Sequence, residues 1–144
     1  MVSLCSALAQ EFKPGEVWKD TEGNIINVHG GGILYHDGTY YWYGTSMHFN
    51  SKASPLKGVG VYTSKDLYEW ENKGIALSVY PEGSGHKIED GCLIERPKVI
   101  YNEATKKFVM WFHLELKGKG YAAAEYGVAV SDSPVGPFKF LHAG

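Results

Sequence analysis

Gly32-Ile-Leu-Tyr-His-Asp-Gly-Thr-Tyr-Tyr-Trp-Tyr43 is the stretch on which the fold turns. Two runs rich in β-branched and aromatic residues flank Asp37-Gly38. Such residues favour a pleated, half-buried surface. The Asp-Gly pair supplies the positive φ angles of a two-residue hairpin turn. The stretch therefore predicts two antiparallel strands, at 31–36 and 39–45.

Working outward, a loop rich in Ser, Asn, Lys and Pro fills about 46–57. Gly58-Val-Gly-Val-Tyr-Thr63 reads as a third strand, and Trp70-Glu-Asn-Lys-Gly-Ile-Ala-Leu77 as a fourth. The same order then recurs. Lys98-Val-Ile-Tyr101 matches Gly32-Ile-Leu-Tyr35, an offset of 66. Phe108-Val-Met-Trp111 matches Tyr40-Tyr-Trp-Tyr43, an offset of 68. Tyr126-Gly-Val-Ala-Val-Ser131 matches Lys57-Gly-Val-Gly-Val-Tyr62, an offset of 69. Phe138 comes round to the place of Trp70. Helical periodicity is nearly absent. An internal repeat of this length, each copy four strands, is the mark of a propeller. The alternative from the same strands is a two-sheet sandwich. The predicted fold class is all-β and of propeller type, with blade one at about 24–78 and blade two at about 94–142. Two blades do not close a ring, since propellers need at least four. Further blades are therefore expected beyond Gly144.

The composition narrows the function. The chain has 144 residues, a net charge of −2 and charges scattered without runs. Nothing resembles the basic footprint of a nucleic-acid or acidic-lipid binder. No stretch is long and apolar enough to span a bilayer. With 4 Trp, 10 Tyr and 6 Phe the chain is rich in aromatics, which serve both sheet cores and sugar sites. Residues 1–10 read as the remnant of a secretory signal, with Ala7-Leu-Ala9 as a small-x-small cleavage pattern. A periplasmic or extracellular location follows as an expectation. Cleavage would remove Cys5 and leave Cys92 a lone thiol, expected to be buried and inert. No histidine pair has zinc-ligand spacing, and no Asp-rich calcium loop is present. Neither a nucleophile elbow, a phosphate loop nor a dinucleotide fingerprint occurs. No metal and no cofactor are expected.

Two longer motifs carry a resemblance. The first is Asp20, Gly23, Ile26, His29-Gly-Gly-Gly-Ile33 and then Tyr40-Tyr-Trp-Tyr-Gly44. The second is Glu95-Arg-Pro-Lys-Val-Ile-Tyr-Asn102, followed by Val109-Met-Trp111. Together, over about 14–142, they resemble glycoside hydrolase family 43, and within it the branch of the exo-β-1,3-galactanases. The resemblance implies a five-bladed β-propeller, an inverting glycosidase and an oligo- or polysaccharide partner such as plant galactan side chains. Most of that family sets a general base on blade one, a helper carboxylate on blade two and a general acid on blade three. Here the glycine run at about Gly30 to Gly32 occupies the base position, as is typical of the galactanase-like branch. Thr45 stands where relatives often carry Glu. The general acid is expected beyond Gly144.

Glycoside cleavage needs carboxyl groups flanking the bond. Glu95 opens the innermost strand of blade two and is the catalytic candidate, implied to bind a sugar hydroxyl and support the acid. Arg96 is the sole arginine beside thirteen lysines, which suggests that a planar charged fork is required there. His29 precedes three glycines that permit close backbone approach. Trp111, His113 and Glu115 alternate on one strand and so share a face. Glu115 receives no role from this pattern, and Glu125 sits in the loop entering the next strand. The resemblance adds Tyr121, and Gly30 and Tyr43 join His29, Arg96, Trp111 and His113 as expected substrate contacts. The alternative to an enzyme is a glycan-binding or inactive propeller, favoured by the missing base and by Thr45. A third reading, another five-bladed glycosidase or a glycan phosphorylase, is disfavoured by the intact Glu95-Arg-Pro-Lys98.

Overall fold

A computed structural model describes residues 11–47 and 56–144. Residues 1–10, read from the sequence as a signal remnant and including Cys5, and most of the loop after Met47 lie outside the described residues. Eight strands and no helix occur among the described residues. They are β1 (His29–His36), β2 (Thr39–Met47), β3 (Leu56–Ser64), β4 (Glu71–Ser78), β5 (Leu93–Asn102), β6 (Lys107–Glu115), β7 (Glu125–Ser131) and β8 (Lys139–Ala143). They form two four-stranded sheets, ordered β1-β2-β3-β4 and β5-β6-β7-β8, with every neighbour antiparallel. These sheets are two blades of a propeller.

The hairpin forms for the reason the sequence gives. Asp37 (φ 46°) and Gly38 (φ 71°) both adopt the left-handed region that the two-residue turn demands. His36 then faces Thr39 in register.

The main core lies between the two blades. Tyr43, Val59, Val61 and Leu77 of blade one pack with Ile94, Phe108, Met110, Phe112 and Leu114 of blade two. A smaller cluster of Val28, Tyr62 and Trp70 lies on the other face of blade one. Phe138 of blade two takes the position of Trp70 in blade one, each packing toward the side from which the chain arrives. Polar ties cross the blade interface. Thr45 Oγ1 donates to the Ile94 carbonyl at 2.8 Å, and Tyr43 Oη to the Pro134 carbonyl at 2.6 Å. Lys98 Nζ donates to the Gly31 carbonyl at 2.9 Å, linking the two innermost strands.

Two flanks remain open. Ile33 and Tyr35 are exposed on the far side of blade one, and Ile100, Trp111, Tyr126 and Leu141 on the far side of blade two. The flanks are apolar because each strand has both faces built for packing.

Candidate functional site

The two innermost strands carry the same irregularity. In β1, His29 pairs with Thr45 and Gly32 with Tyr43, so three steps on one strand match two on the other. In β5, Glu95 pairs with His113 and Lys98 with Trp111, again with one extra residue. Each is a β-bulge, which bends the strand and re-aims the side chains beside it. The bulge in β5 also accommodates Pro97, which has no N–H for a ladder bond. Register thus makes His29 the blade-one counterpart of Glu95, Gly30 of Arg96 and Thr45 of His113. The backbone agrees, since Gly30 has φ 60° and Arg96 φ 52°.

Around Glu95 several groups converge. Tyr121 Oη donates to Glu95 Oε1 at 2.7 Å although the Tyr121 side chain is 67% exposed. That bond, and then the Glu95 charge, hold the Tyr121 hydroxyl above the usual tyrosine range. Arg96 acts on it weakly in the opposite sense. The His113 ring lies parallel to the Tyr121 ring, 13° apart in plane and 6.3 Å between centroids. Beneath them Glu115 is buried at 1% exposure. Its Oε2 accepts the backbone N–H groups of Ala123 (2.9 Å) and Ala124 (3.0 Å). Its Oε1 lies 2.9 Å from His113 Nε2. That approach is not aligned as a hydrogen bond, and Oε1 is otherwise unpartnered. Hydrogen bonds to an ionised acceptor are roughly twice as strong as neutral ones, so Oε2 is a firm anchor for the β6–β7 loop.

The expected site residues therefore divide. Glu95, Arg96, His113 and Tyr121 come together at the start of β5. His29 and Gly30 lie exposed at the start of β1, at the same end, because Thr45 ties the carbonyl of Ile94 beside them. His29 Nε2 is 3.4 Å from Met47 Sδ. Tyr43 requires correction as a substrate contact. It is 0% exposed in the inter-blade core, its ring edge-on to Phe138 and its hydroxyl on Pro134, so no sugar reaches it. Burial pushes its hydroxyl well above the usual tyrosine range. Trp111 is the register counterpart of Tyr43. It is 47% exposed on the open flank of blade two and pairs with the Tyr126 ring at 5.5 Å, outside the Glu95 group. Glu115 had a visible signal in the sequence: a carboxylate closing a strand that is mostly apolar from Phe108 to Leu114. A separate groove of about 350 Å³, lined by Phe12, Val17, Trp18 and Tyr68, lies against blade one. Its rings pack on one another, with Phe12 stacked on Tyr68 at 4.2 Å. No group of His, Cys, Asp or Glu among the described residues has the arrangement of a metal site.

No family model and no curated protein matches the chain. Solved structures do. A family-43 β-1,3-galactosidase with galactodeoxynojirimycin is 58% identical over 90% of this chain, with a TM-score of 0.82. An exo-β-1,3-galactanase from Phanerochaete chrysosporium, with β-1,3-galactotriose, is 41% identical over 90% of this chain, with a TM-score of 0.79. An exo-β-1,3-galactanase from Clostridium thermocellum is 43% identical over 90%, with a TM-score of 0.76. The chain spans 37%, 29% and 26% of the length of these three structures. Identity at this level across both blades goes beyond a shared fold: the chain is built like two propeller blades of the family-43 exo-β-1,3-galactanases.

Proposed function

We propose that the full-length protein is an inverting, exo-acting glycosidase that removes galactose from β-1,3-galactan or a related plant side chain. The observation that carries this reading is the Glu95 carboxylate, held by Tyr121 at 2.7 Å, at the entry of an innermost strand. It stands in a chain 58% identical to a β-1,3-galactosidase. Glu95 accepts a hydrogen bond from a sugar hydroxyl and favours the protonated state of a nearby acid. Tyr121 fixes its orientation, and Arg96 offers a planar fork to the sugar. The general acid comes from a third blade. Inverting enzymes keep their two carboxyl groups roughly 6.5–9.5 Å apart, so that a water fits between base and sugar. Export of the protein, suggested by Ala7-Leu-Ala9, belongs to the same reading and predicts a mature N-terminus near Gln10.

A second reading is a propeller that binds glycans without cleaving them. It is favoured by the absence of a carboxylate from Gly30 to Gly32 and by Thr45, which is buried and committed to Ile94. Proton NMR of the full-length protein with β-1,3-galactotriose separates the two. α-Galactose as the first product supports the inverting enzyme. Binding without any release supports the second reading, and β-galactose as the first product contradicts inversion.

A further inference from the structure

The loop carrying Tyr121 has few ties of its own. It runs from Leu116 to Ala124 and contains Gly118 and Gly120 at φ 71° and 58°. Two backbone bonds hold it internally, Lys119 N–H to the Leu116 carbonyl at 3.0 Å and Ala122 N–H to the Lys119 carbonyl at 3.2 Å. It ends on Ala124, whose φ of 47° is one that alanine rarely adopts. Such a conformation persists only where its surroundings over-determine it. The surroundings here are Glu115. Its buried Oε2 takes the N–H groups of both Ala123 and Ala124, from a strand that is itself locked in the sheet. Three residues before Ala124, Tyr121 reaches across to Glu95. Cross-strand pairing sets His113 opposite Glu95, and Glu115 lies two residues further on the same face.

We propose that Glu115 is a positioning residue, whose clamp on the Ala123–Ala124 turn holds Tyr121 on Glu95 and thereby orients the Glu95 carboxylate toward the sugar. The carboxylate touches no substrate itself. Its effect passes through the turn, then the tyrosine, then Glu95. The inference rests on the galactosidase reading for its kinetic consequence, but the mechanical link holds independently of that reading.

The test is a double-mutant cycle in the full-length protein, with β-1,3-galactotriose as substrate. Glu115→Gln and Tyr121→Phe are each expected to lower kcat/KM roughly tenfold. The double variant should be no worse than Tyr121→Phe alone, because both changes break one chain of contacts. Multiplying effects, or an unchanged kcat/KM in Glu115→Gln, would overturn the proposal. Should Glu115→Gln not fold, Glu115→Asp keeps the charge and shortens its reach, and enters the cycle in its place. A second readout needs no activity. The Tyr121 ring is titrated by NMR in the wild type and in Glu115→Asp, which keeps the charge at 115, with Glu95→Ala as the reference for a broken bond. The facing charged groups are Glu95 and Glu115, which raise the titration, and Arg96, which lowers it. Glu115→Asp should move the titration down toward the Glu95→Ala position. A titration that stays at the wild-type position would overturn the link. A wild type that releases no galactose while this titration shift is present sinks the galactosidase reading and leaves the link standing.

Discussion

Arg96 holds a backbone conformation that blade one assigns to Gly30. A non-glycine residue there costs on the order of 1 kcal/mol or more. Retaining the chain's sole arginine at that cost points to work done by its side chain. Arg96→Gly should therefore leave thermal stability unchanged or slightly raised, while weakening galacto-oligosaccharide binding about tenfold. Calorimetric titration alongside a melting curve checks both halves. Cys92 illustrates a residue with the opposite character. It is buried, and burial pushes its thiol from an ordinary value of 9.0 up to about 12. The folded chain then binds more protons than the unfolded chain between those values, so stability falls as pH rises from about 9 toward 12. Tyr43, raised by burial from 10.0, adds to the fall at higher pH. Urea melts across this window should show the decline, and Cys92→Ala should flatten it. The sequence was informative here only in part. Glu95 and Arg96 sit in a motif, His113 follows from strand alternation and Tyr121 from the resemblance, and the structure brings the four together. Tyr43 sits in a motif too, yet it is core. Strand alternation tells which residues share a face, but not which neighbour covers that face.

At the scale of elements, the bulge in β1 explains the glycine run. A Cβ on Gly31 would stand 1.7 Å from the Tyr43 carbonyl oxygen, which is backbone and fixed in the ladder. On Gly32 it would meet Lys98, 2.7 Å from Nζ, the movable end of a flexible side chain. Gly31→Ala should therefore cost about 3 kcal/mol or more, and Gly32→Ala only about 1 kcal/mol. Chemical unfolding of the two variants side by side measures the difference. Equal losses would mean that the ladder, not the side chain of Lys98, yields at both sites. The hairpin at Asp37-Gly38 was legible because its turn chemistry is local. The bulge was not, because it is defined by pairing with β2. Once pairing is known, His29 is the counterpart of Glu95, a relation hidden by an offset that drifts along the repeat.

For the whole molecule, the decisive feature is the pair of open flanks. Ile100, Trp111, Tyr126 and Leu141 form one, Ile33 and Tyr35 the other. In blade one the residue equivalent to Trp111 is Tyr43, which blade two covers completely. By that equivalence Trp111 occupies a blade-packing position. The 144 residues produced alone should bind a hydrophobic dye and melt broadly, whereas the full-length protein should do neither. A sharp, cooperative melt of the isolated monomer would contradict this. The repeat and the strand count were legible in the sequence, since each follows from pattern and period.

The measurement that bears most directly on the account compares galactose release from β-1,3-galactan by full-length wild type and Glu95→Gln. Steady release by the wild type, with a loss of about tenfold or more in the variant at unchanged melting temperature, is the predicted result. Equal release by the two proteins would remove Glu95 from the chemistry and contradict the site described around it.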